Sequence, residues 1–235
     1  MEPLEKFVLN EFPEGRVVFL SPHDDDAIIG CGGILSVLKE RASVIILTDG
    51  ALGSTSLNKG GNGLVKKRRR EARAAYGSLG VIDVEFLGFP DLCLNNYECW
   101  RTEQGRTGAY QKLILLLRQK RPVSVFIPSE LDFHPDHKAT SRIGHAAVIF
   151  ANSALSFSAR SGPKSAVTSV WEYYVWSAGR HGIVRRIRLG REASSAKEDA
   201  LSEFESQKLT LEKLRKEGLL DFKAERIKKE SKKSW

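Results

Sequence analysis

The chain has 235 residues, of which 41% are hydrophobic and 28% are charged. These values are typical of a globular protein with a sizeable core, and they exclude a disordered or fibrous chain. No apolar run reaches the roughly 18 to 20 residues that a membrane helix needs, and residues 1–12 are acidic where a signal peptide would be basic. We therefore expect one soluble domain in the cytoplasm, without a membrane contact.

The net charge of +8 is concentrated near the end of the chain. Residues 208–235 carry ten basic and five acidic side chains, so the preceding part is nearly neutral. A charged run at a terminus is usually a solvated surface. An anionic partner, either nucleic acid or another subunit, is the alternative.

Apolar strands and amphipathic helices alternate along the first two thirds of the chain. The predicted strands are 16–20, 43–48, 84–87 and 123–127. The predicted helices are 28–40, 65–79, 110–120 and a stretch that follows residue 137 and reaches about 151. This order indicates a single Rossmann-like α/β domain of three layers with a mainly parallel sheet.

The last third of the chain predicts two late strands and a helix. A strand begins at Trp171, and the alternating segment 182–189 resembles another, so we expect a sheet edge or a hairpin there. Apolar residues at helical spacing predict a long C-terminal helix over 195–216. We therefore expect the domain to span 1–235, with 208–235 as a basic helical extension.

One imidazole and three carboxylates follow the first predicted strand directly, in the sequence His23-Asp24-Asp25-Asp26. Open α/β sheets bind ligands at the carboxyl ends of their strands. Three adjacent carboxylates repel one another, so a cation is the simplest compensation, and His with Asp suits zinc or another first-row divalent metal. A helix N-cap followed by a solvated acidic turn is the alternative.

A second cluster, His134-Pro135-Asp136-His137, follows the predicted strand 123–127. Because the carboxyl ends of parallel strands share one edge of a sheet, we expect the two clusters to converge. Together they offer enough nitrogen and oxygen donors for a catalytic zinc, which typically has three protein ligands and one open position.

With these motifs the sequence resembles the LmbE-like or PIG-L N-acetylglucosaminyl deacetylases, whose motifs read His-Pro-Asp-Asp-Glu and His-x-Asp-His. Further matches to the family lie at 48–50, 68–72, 86–91, 197, 200–201 and 206–207. The resemblance covers residues 16–207. Two positions depart from the family motif, because Asp24 replaces its proline and Ala27 replaces its glutamate.

The resemblance implies that His23, Asp26 and His137 bind one Zn²⁺ per chain, with iron or cobalt as alternatives. It also implies that Asp25 is the general base that accepts a proton from the attacking water. That role agrees with the chemistry, since a metal-bound water already has a lowered pKa.

The same resemblance implies roles for four further residues, His134, Asp136, Arg68 and Asp91. His134 is expected to stabilise the oxyanion as an imidazolium, and Asp136 is expected to orient and charge that ring. The proton for the departing amine comes from Asp25 or from His134. Arg68 and Asp91 are expected to contact the substrate, and His181 in a late loop is a further candidate for such a contact.

These residues predict a zinc-dependent amidohydrolase that removes the N-acetyl group from an N-acetylglucosamine-type amino sugar or conjugate. The expected partner is therefore a small acetylated amino sugar, with nucleic acid disfavoured and a homo-oligomer left open. A metal-dependent phosphohydrolase or nuclease is one alternative. A binding protein on a degenerate deacetylase fold is the other.

Overall fold

A computed structural model describes residues 1–53, 61–154, 163–177 and 184–230, which form a sheet of eight strands with helices packed on it. The strands are β1 Glu2–Pro3, β2 Val17–Ser21, β3 Ala42–Thr48, β4 Asp83–Phe89, β5 Ser124–Pro128, β6 Ser169–Tyr173, β7 Arg185–Arg188 and β8 Ala224–Lys229. The helices are α1 Leu4–Glu11, α2 Asp26–Leu38, α3 Asn62–Ser78, α4 Ala109–Lys120, α5 Pro135–Asn152, α6 Arg191–Ser202 and α7 Lys208–Lys216. None of these helices is both long enough and apolar enough to cross a membrane.

The strands lie in the order β1-β7-β8-β6-β5-β2-β3-β4. The five strands from β6 to β4 are mutually parallel, whereas β8 runs antiparallel to both β6 and β7. This topology confirms the predicted α/β fold with a mainly parallel sheet. The chain runs from β2 outward to β4 and then returns to β5 on the other side of β2, so the strand order reverses between β2 and β5. Ligands bind at such a switch point in open α/β sheets.

Alternate residues of β2 enter two cores on opposite faces of the sheet. Val17 and Phe19 belong to the core that includes residues of α1, α2 and α6, while Val18 and Leu20 belong to the core that includes α4 and α5. Phe19 also stacks on Phe126 of β5, with ring centroids 4.6 Å apart. Because both faces of these strands are covered, a ligand reaches them at their ends.

Helix α2 is interrupted at Cys31, whose φ of −140° and ψ of 22° are not helical. The second half of α2 begins beside a buried ion pair: Glu225 accepts hydrogen bonds from the N–H groups of Gly33 and Ile34 at 2.6 and 3.1 Å, and Lys197 Nζ lies 3.2 Å from its carboxylate. A side chain at Gly30 would collide with the ring of Tyr173. These contacts hold the middle of α2 close to the sheet.

The two late strands do not form the hairpin that was considered from the sequence. β8 lies between β6 and β7 and pairs with both, so these two strands are not neighbours. β6 is instead an inner strand, parallel to β5. Pairing between segments far apart in the chain decides this order, and local alternation of apolar residues carries no information about it.

The predicted basic helical extension over 208–235 is wrong for the described residues beyond Lys216. Helix α7 ends there because Gly218 adopts a positive φ of 69°, and the Leu219 N–H bonds back to Leu214 O at 2.9 Å. Residues 224–229 then form β8, in which Ile227 is fully buried. The predicted helix 195–216 is also divided, since α6 ends at Ser202 and α7 begins at Lys208.

Candidate metal centre and catalytic site

The first motif is held at the carboxyl end of β2 by two hydroxyl groups. Ser21 Oγ accepts a hydrogen bond from the Ala27 N–H at 3.1 Å, and Thr48 Oγ1 donates one to the Pro22 carbonyl at 2.9 Å. Asp25 and Asp26 therefore lie at the N-terminus of α2. Helix dipoles favour carboxylates at that end.

The second motif begins α5 at the carboxyl end of β5. Pro135 is the first helical residue, a position that its fixed φ suits, and His134 is the N-cap. His137 lies in the first turn and is fully buried. The two motifs therefore converge at the switch point between β2 and β5.

The three predicted metal ligands bring their donor atoms together around one carboxylate oxygen. Asp26 Oδ2 lies 2.9 Å from His23 Nδ1 and 3.1 Å from His137 Nε2. The rings of His23 and His137 have centroids 5.5 Å apart. We call His23, Asp26 and His137 the metal triad.

The state of His137 shows that this triad suits a cation. Its Nδ1 is paired with Asp132 at 2.9 Å, whereas its buried Nε2 lies 3.1 Å from Asp26 Oδ2 without the alignment of a hydrogen bond. Burial alone would lower the pKa of His137, but the charge of Asp26 and the hydrogen bond to Asp132 raise it to about 9. The space between His137 and Asp26 therefore favours a positive charge, either a proton or a metal ion that replaces it.

Sequence reasoning missed Asp132, which positions His137. Its carboxylate accepts hydrogen bonds from the N–H groups of Val175, Trp176 and Ser177 at 3.3, 3.1 and 2.9 Å. A carboxylate behind a histidine fixes its tautomer and is common in metal sites. The position of Asp132, five residues before His137, was the available signal.

The carboxylate of Asp136 contacts His23 and forms no hydrogen bond with the His134 ring, so the expectation that this carboxylate orients His134 is wrong. Asp136 Oδ2 lies 3.4 Å from His23 Nε2, and the carboxylate is held by the N–H groups of Leu92 and Leu94 at 2.8 and 3.1 Å. Those two N–H groups come from the segment after β4, which the sequence did not connect with this motif. They turn the carboxylate toward His23.

Asp91 also contacts His23 Nε2, at 3.2 Å from its Oδ1. Burial would raise the pKa of Asp91, but His23 and the Leu52 N–H, which donates to Asp91 at 3.0 Å, lower it. With Nε2 facing two carboxylates, His23 directs Nδ1 toward Asp26. Asp91, which is predicted to contact the substrate, thus contacts a histidine of the metal triad in this structure.

Asp25 is a buried carboxyl group beside the metal triad. Burial and the negative charge of Asp26 raise the pKa of Asp25 to about 7, although Arg68, whose Nη2 lies 3.9 Å away, acts in the opposite direction. A carboxyl group with a pKa near 7 can both accept and donate a proton at neutral pH. This is the property that a general base needs.

The surroundings of His134 disfavour the expected imidazolium. Burial and the positive charges of His23 and His137 lower the pKa of His134 to about 4. Its Nδ1 accepts a hydrogen bond from the Asp136 N–H at 3.3 Å, which leaves Nε2 as the protonated nitrogen. The ring centroid lies 4.7 Å from that of His23, so His134 borders the metal triad.

A cavity of roughly 290 Å³ opens beside these groups. Its polar wall includes Asp25, Asp91 and His134, and its apolar wall includes Leu92 and Trp176. A mixture of a few polar groups and apolar surface is typical of a small-molecule site.

Arg68 and His181 are the other two residues that are predicted to contact the substrate. Arg68 lines the cavity, but its guanidinium is paired with Asp24. His181 lies outside the described residues, so its predicted role stays a prediction.

The sequence matches one protein-family model and is similar to several known proteins. The model described as PIG-L, GlcNAc-PI de-N-acetylase, matches residues 18–148. A diacetylchitobiose deacetylase of Thermococcus kodakarensis is 31% identical over 143 residues, which cover 58% of this chain and 50% of that protein. A 2'-N-acetylparomamine deacetylase of Streptomyces fradiae is 30% identical over 136 residues, covering 52% and 48%. The chain thus spans about half the length of these two relatives.

Solved structures with the same fold extend the similarity over nearly the whole chain. An N,N'-diacetylchitobiose deacetylase from Pyrococcus horikoshii has a TM-score of 0.74 at 23% identity and covers 97% of this chain and 88% of its own. The conserved protein TT1542 from Thermus thermophilus has a TM-score of 0.67 at 27% identity, covering 91% and 94%. GalB, a 4-carboxy-2-hydroxymuconate hydratase from Pseudomonas putida KT2440, has a TM-score of 0.64 at 18% identity, covering 92% and 96%. The fold by itself therefore does not identify the reaction.

Proposed function

This chain belongs to the PIG-L family, and from that premise we propose that it hydrolyses the N-acetyl group of an N-acetylglucosamine-type amino sugar or conjugate. The products are acetate and a free amine. One observation carries the proposal: the donor atoms of His23 and His137 converge on Asp26 Oδ2, directly beside a buried Asp25 whose pKa is about 7. The names of the two deacetylase relatives support the same reaction.

The metal triad is proposed to hold one Zn²⁺, since two imidazole nitrogens and one carboxylate oxygen are a donor set that zinc accepts with a position left open. A divalent ion bound there supplies Lewis acidity, which lowers the pKa of a bound water toward about 7. Iron and cobalt suit the same donors.

Asp25 is proposed to move the proton. It accepts a proton from the water that attacks the acetyl carbonyl carbon, and it returns that proton to the amine nitrogen as the C–N bond breaks. A pKa near 7 suits both halves of this transfer, because the group is a competent base before the attack and a competent acid after it. This assigns the amine's proton to Asp25 and leaves His134 free for another role.

His134 is proposed to donate a hydrogen bond from its Nε2–H to the carbonyl oxygen as that oxygen gains negative charge. A neutral donor held in place by its Nδ1 contact is sufficient for this role. Asp136 is proposed to act through His23, by keeping that ring oriented for the metal.

The substrate-binding proposal rests on the cavity wall. Asp91 accepts hydrogen bonds from sugar hydroxyls, and the apolar surfaces of Trp176 and Leu92 pack against the sugar ring and the acetyl methyl group. Arg68 supports the site through Asp24, and His181 is retained as a proposed contact with the distal part of the substrate.

The proposal is tested by amine release from N-acetylglucosamine, N,N'-diacetylchitobiose and an N-acetylated aminoglycoside. Metal-free protein, zinc-restored protein and zinc-restored Asp25→Asn are compared, with Glu130→Gln as a control that changes an exposed carboxylate. We expect zinc-dependent release in the wild type and in Glu130→Gln, and its loss in Asp25→Asn.

Two other results would contradict the proposal. Cleavage of phosphodiesters without amine release, together with two bound metal ions per chain, would support the phosphohydrolase or nuclease. Saturable sugar binding without hydrolysis at any metal loading would support the binding protein on a degenerate fold.

A further inference from the structure

Asp24, which departs from the family motif, forms a buried ion pair with Arg68. Arg68 Nε lies 2.9 Å from both carboxylate oxygens of Asp24, and Nη2 also bonds to Asp24 Oδ1. The side chains of Arg68 and Asp24 are only 2% and 6% exposed. One edge of the guanidinium, the group that would bind a carboxylate or a phosphate of a ligand, is therefore already filled.

The remaining side of Arg68 is covered by the backbone after β3. A side chain at Gly50 would place its Cβ 2.8 Å from Arg68 Nε, and one at Gly53 would overlap Nη1. The Gly53 carbonyl is held in turn by Gln207 Nε2 at 2.7 Å. An anionic ligand thus reaches the guanidinium only by displacing Asp24 or this backbone.

The charge of the cavity also disfavours anions. Arg68 is the only lysine or arginine among the described residues that line it, whereas Asp25, Asp26 and Asp91 all face it. A divalent ion in the metal triad would add two positive charges, but Asp26 within the triad and Asp91, Asp132 and Asp136 around it offset them. Among the described residues, a ligand phosphate or carboxylate would therefore meet a wall without a free lysine or arginine.

We propose that Asp24 is a specificity-determining residue: by occupying Arg68 it makes the site select uncharged or cationic acetylated amino sugars over those that carry a phosphate or carboxylate on the sugar. This inference rests on the proposed deacetylase function. It names a substrate class that the reaction by itself leaves open.

The first test compares kcat/KM for two substrates that differ only in charge, methyl N-acetyl-α-glucosaminide and N-acetyl-α-glucosamine 1-phosphate. We expect the wild type to prefer the uncharged sugar by about tenfold or more. In Asp24→Asn the freed guanidinium binds the phosphate, and the preference should shift toward the phosphate ester by about tenfold. A wild type that prefers the phosphate ester would overturn the inference.

The double variant Asp24→Asn with Arg68→Gln separates the ion pair from a general change of charge. We expect it to lose the shift, because no guanidinium remains for the phosphate to bind. Glu130→Gln removes the same charge at an exposed position and should leave the preference unchanged. An equal shift in Glu130→Gln and Asp24→Asn would refute a role for Arg68. Asp24→Pro, which restores the family residue, serves as a second variant if Asp24→Asn does not fold.

Calorimetric binding of the same two sugars to the metal-free proteins gives a readout that does not depend on hydrolysis. We expect the same order of preference there, with the same shift in Asp24→Asn. If the sugars bind in this order and none is hydrolysed, the specificity stands and the proposed function falls. If deacetylation proceeds with equal preference for both sugars in all variants, the proposed function stands and this inference falls.

Discussion

Two buried groups of charges contact the same helix, α2, and they are satisfied to very different degrees. Near the middle of α2, Glu225 is bonded to Lys197 at 3.2 Å and to two backbone N–H groups, and Lys197 also donates to the Asp221 carbonyl at 3.3 Å. At the start of α2, His137 Nε2 lies 3.1 Å from Asp26 Oδ2 without the alignment of a hydrogen bond, and the pKa of Asp25 is raised to about 7 by burial and the charge of Asp26.

The number of partners that a buried charge has indicates whether its role is structural or chemical. A buried charge with a full set of partners stabilises one arrangement of the chain. Buried donors and carboxylates without such a set are enriched where a ligand or a reaction uses them. The metal triad and Asp25 are of the second kind, and the Lys197–Glu225 pair is of the first.

The largest effect that would sharpen this comparison is expected from Asp25→Asn. We expect the deacetylation rate to fall by about 10²- to 10⁴-fold, because the general base is lost. Stability should be unchanged or higher, since a costly buried carboxylate is removed. Turnover and urea unfolding are measured on the same zinc-loaded samples. A rate close to that of the wild type would mean that another group accepts the proton.

Lys197→Met should have the opposite effect, because it should lower stability without affecting the metal triad. Removing one partner leaves Glu225 buried and unpaired, so we expect the free energy of unfolding to fall by about 3–5 kcal/mol. Under conditions where the variant is fully folded, its zinc affinity should match that of the wild type. Urea titrations and equilibrium zinc binding measure the two quantities.

The double variant Lys197→Met with Glu225→Gln provides the control, because it removes both charges and should recover part of the lost stability. An unchanged stability in Lys197→Met would place this pair among the groups that carry no structural role. A loss of zinc affinity in the folded variant would instead connect it with the metal triad.

Asp132→Asn is expected to lower zinc affinity by roughly 10- to 100-fold, because the carboxylate that orients His137 is lost while the ligand itself remains. Competition with a chelator of known affinity measures the change. Asp83→Asn is the matched control, since Asp83 is paired with Arg16 and Lys120 on another part of the sheet. Equal affinities for the two variants would show that Asp132 does not support the metal triad.

The smallest effect is expected at Glu172. Among the described residues, its carboxylate has longer hydrogen bonds than Glu225 but more partners than Asp25. The carboxylate lies 3.4 Å from Ser129 Oγ and from Tyr174 OH and 3.7 Å from Lys228 Nζ. Burial together with the charge of Glu230 raises its pKa from 4.5 to about 7, although Lys228 acts in the opposite direction. Because the folded state holds this proton more tightly than the unfolded state, Glu172 stabilises the protein below about pH 4.5 and loses that contribution as the pH rises through 7.

We therefore expect the free energy of unfolding to decrease between about pH 5 and 8, by at most about 3 kcal/mol from this group. Glu172→Gln should flatten that slope, and Glu130→Gln should not. Urea unfolding at several pH values checks both. Identical slopes in all three proteins would remove Glu172 as the cause.

Local pattern was sufficient for the parallel half of the sheet and for the site's position. The runs at 16–20 and 43–48 are apolar on both faces, as strands covered by helices on both sides must be. The clusters at His23 and His134 follow the ends of such strands directly. Parallel pairing then brings them together, so their convergence could be predicted without coordinates.

Tertiary structure alone decided which groups surround those residues. Asp132 reaches His137 only because the backbone at 175–177 donates to it, and Asp136 faces His23 because the segment after β4 holds its carboxylate. The lowered pKa of His134 likewise comes from burial and from the charges of His23 and His137. The backbone contacts that hold the Asp132 and Asp136 carboxylates join residues more than about forty positions apart, which no local periodicity encodes.

The sequence by itself determined the fold class, the motif residues and their place at the strand ends, because apolar pattern and turn chemistry act over a few residues. Only the tertiary structure decided that residues 224–229 form an inner strand and that Asp24 is paired with Arg68. Both depend on partners distant in the chain. In a buried setting, those partners determine whether a charged side chain is free to bind a ligand.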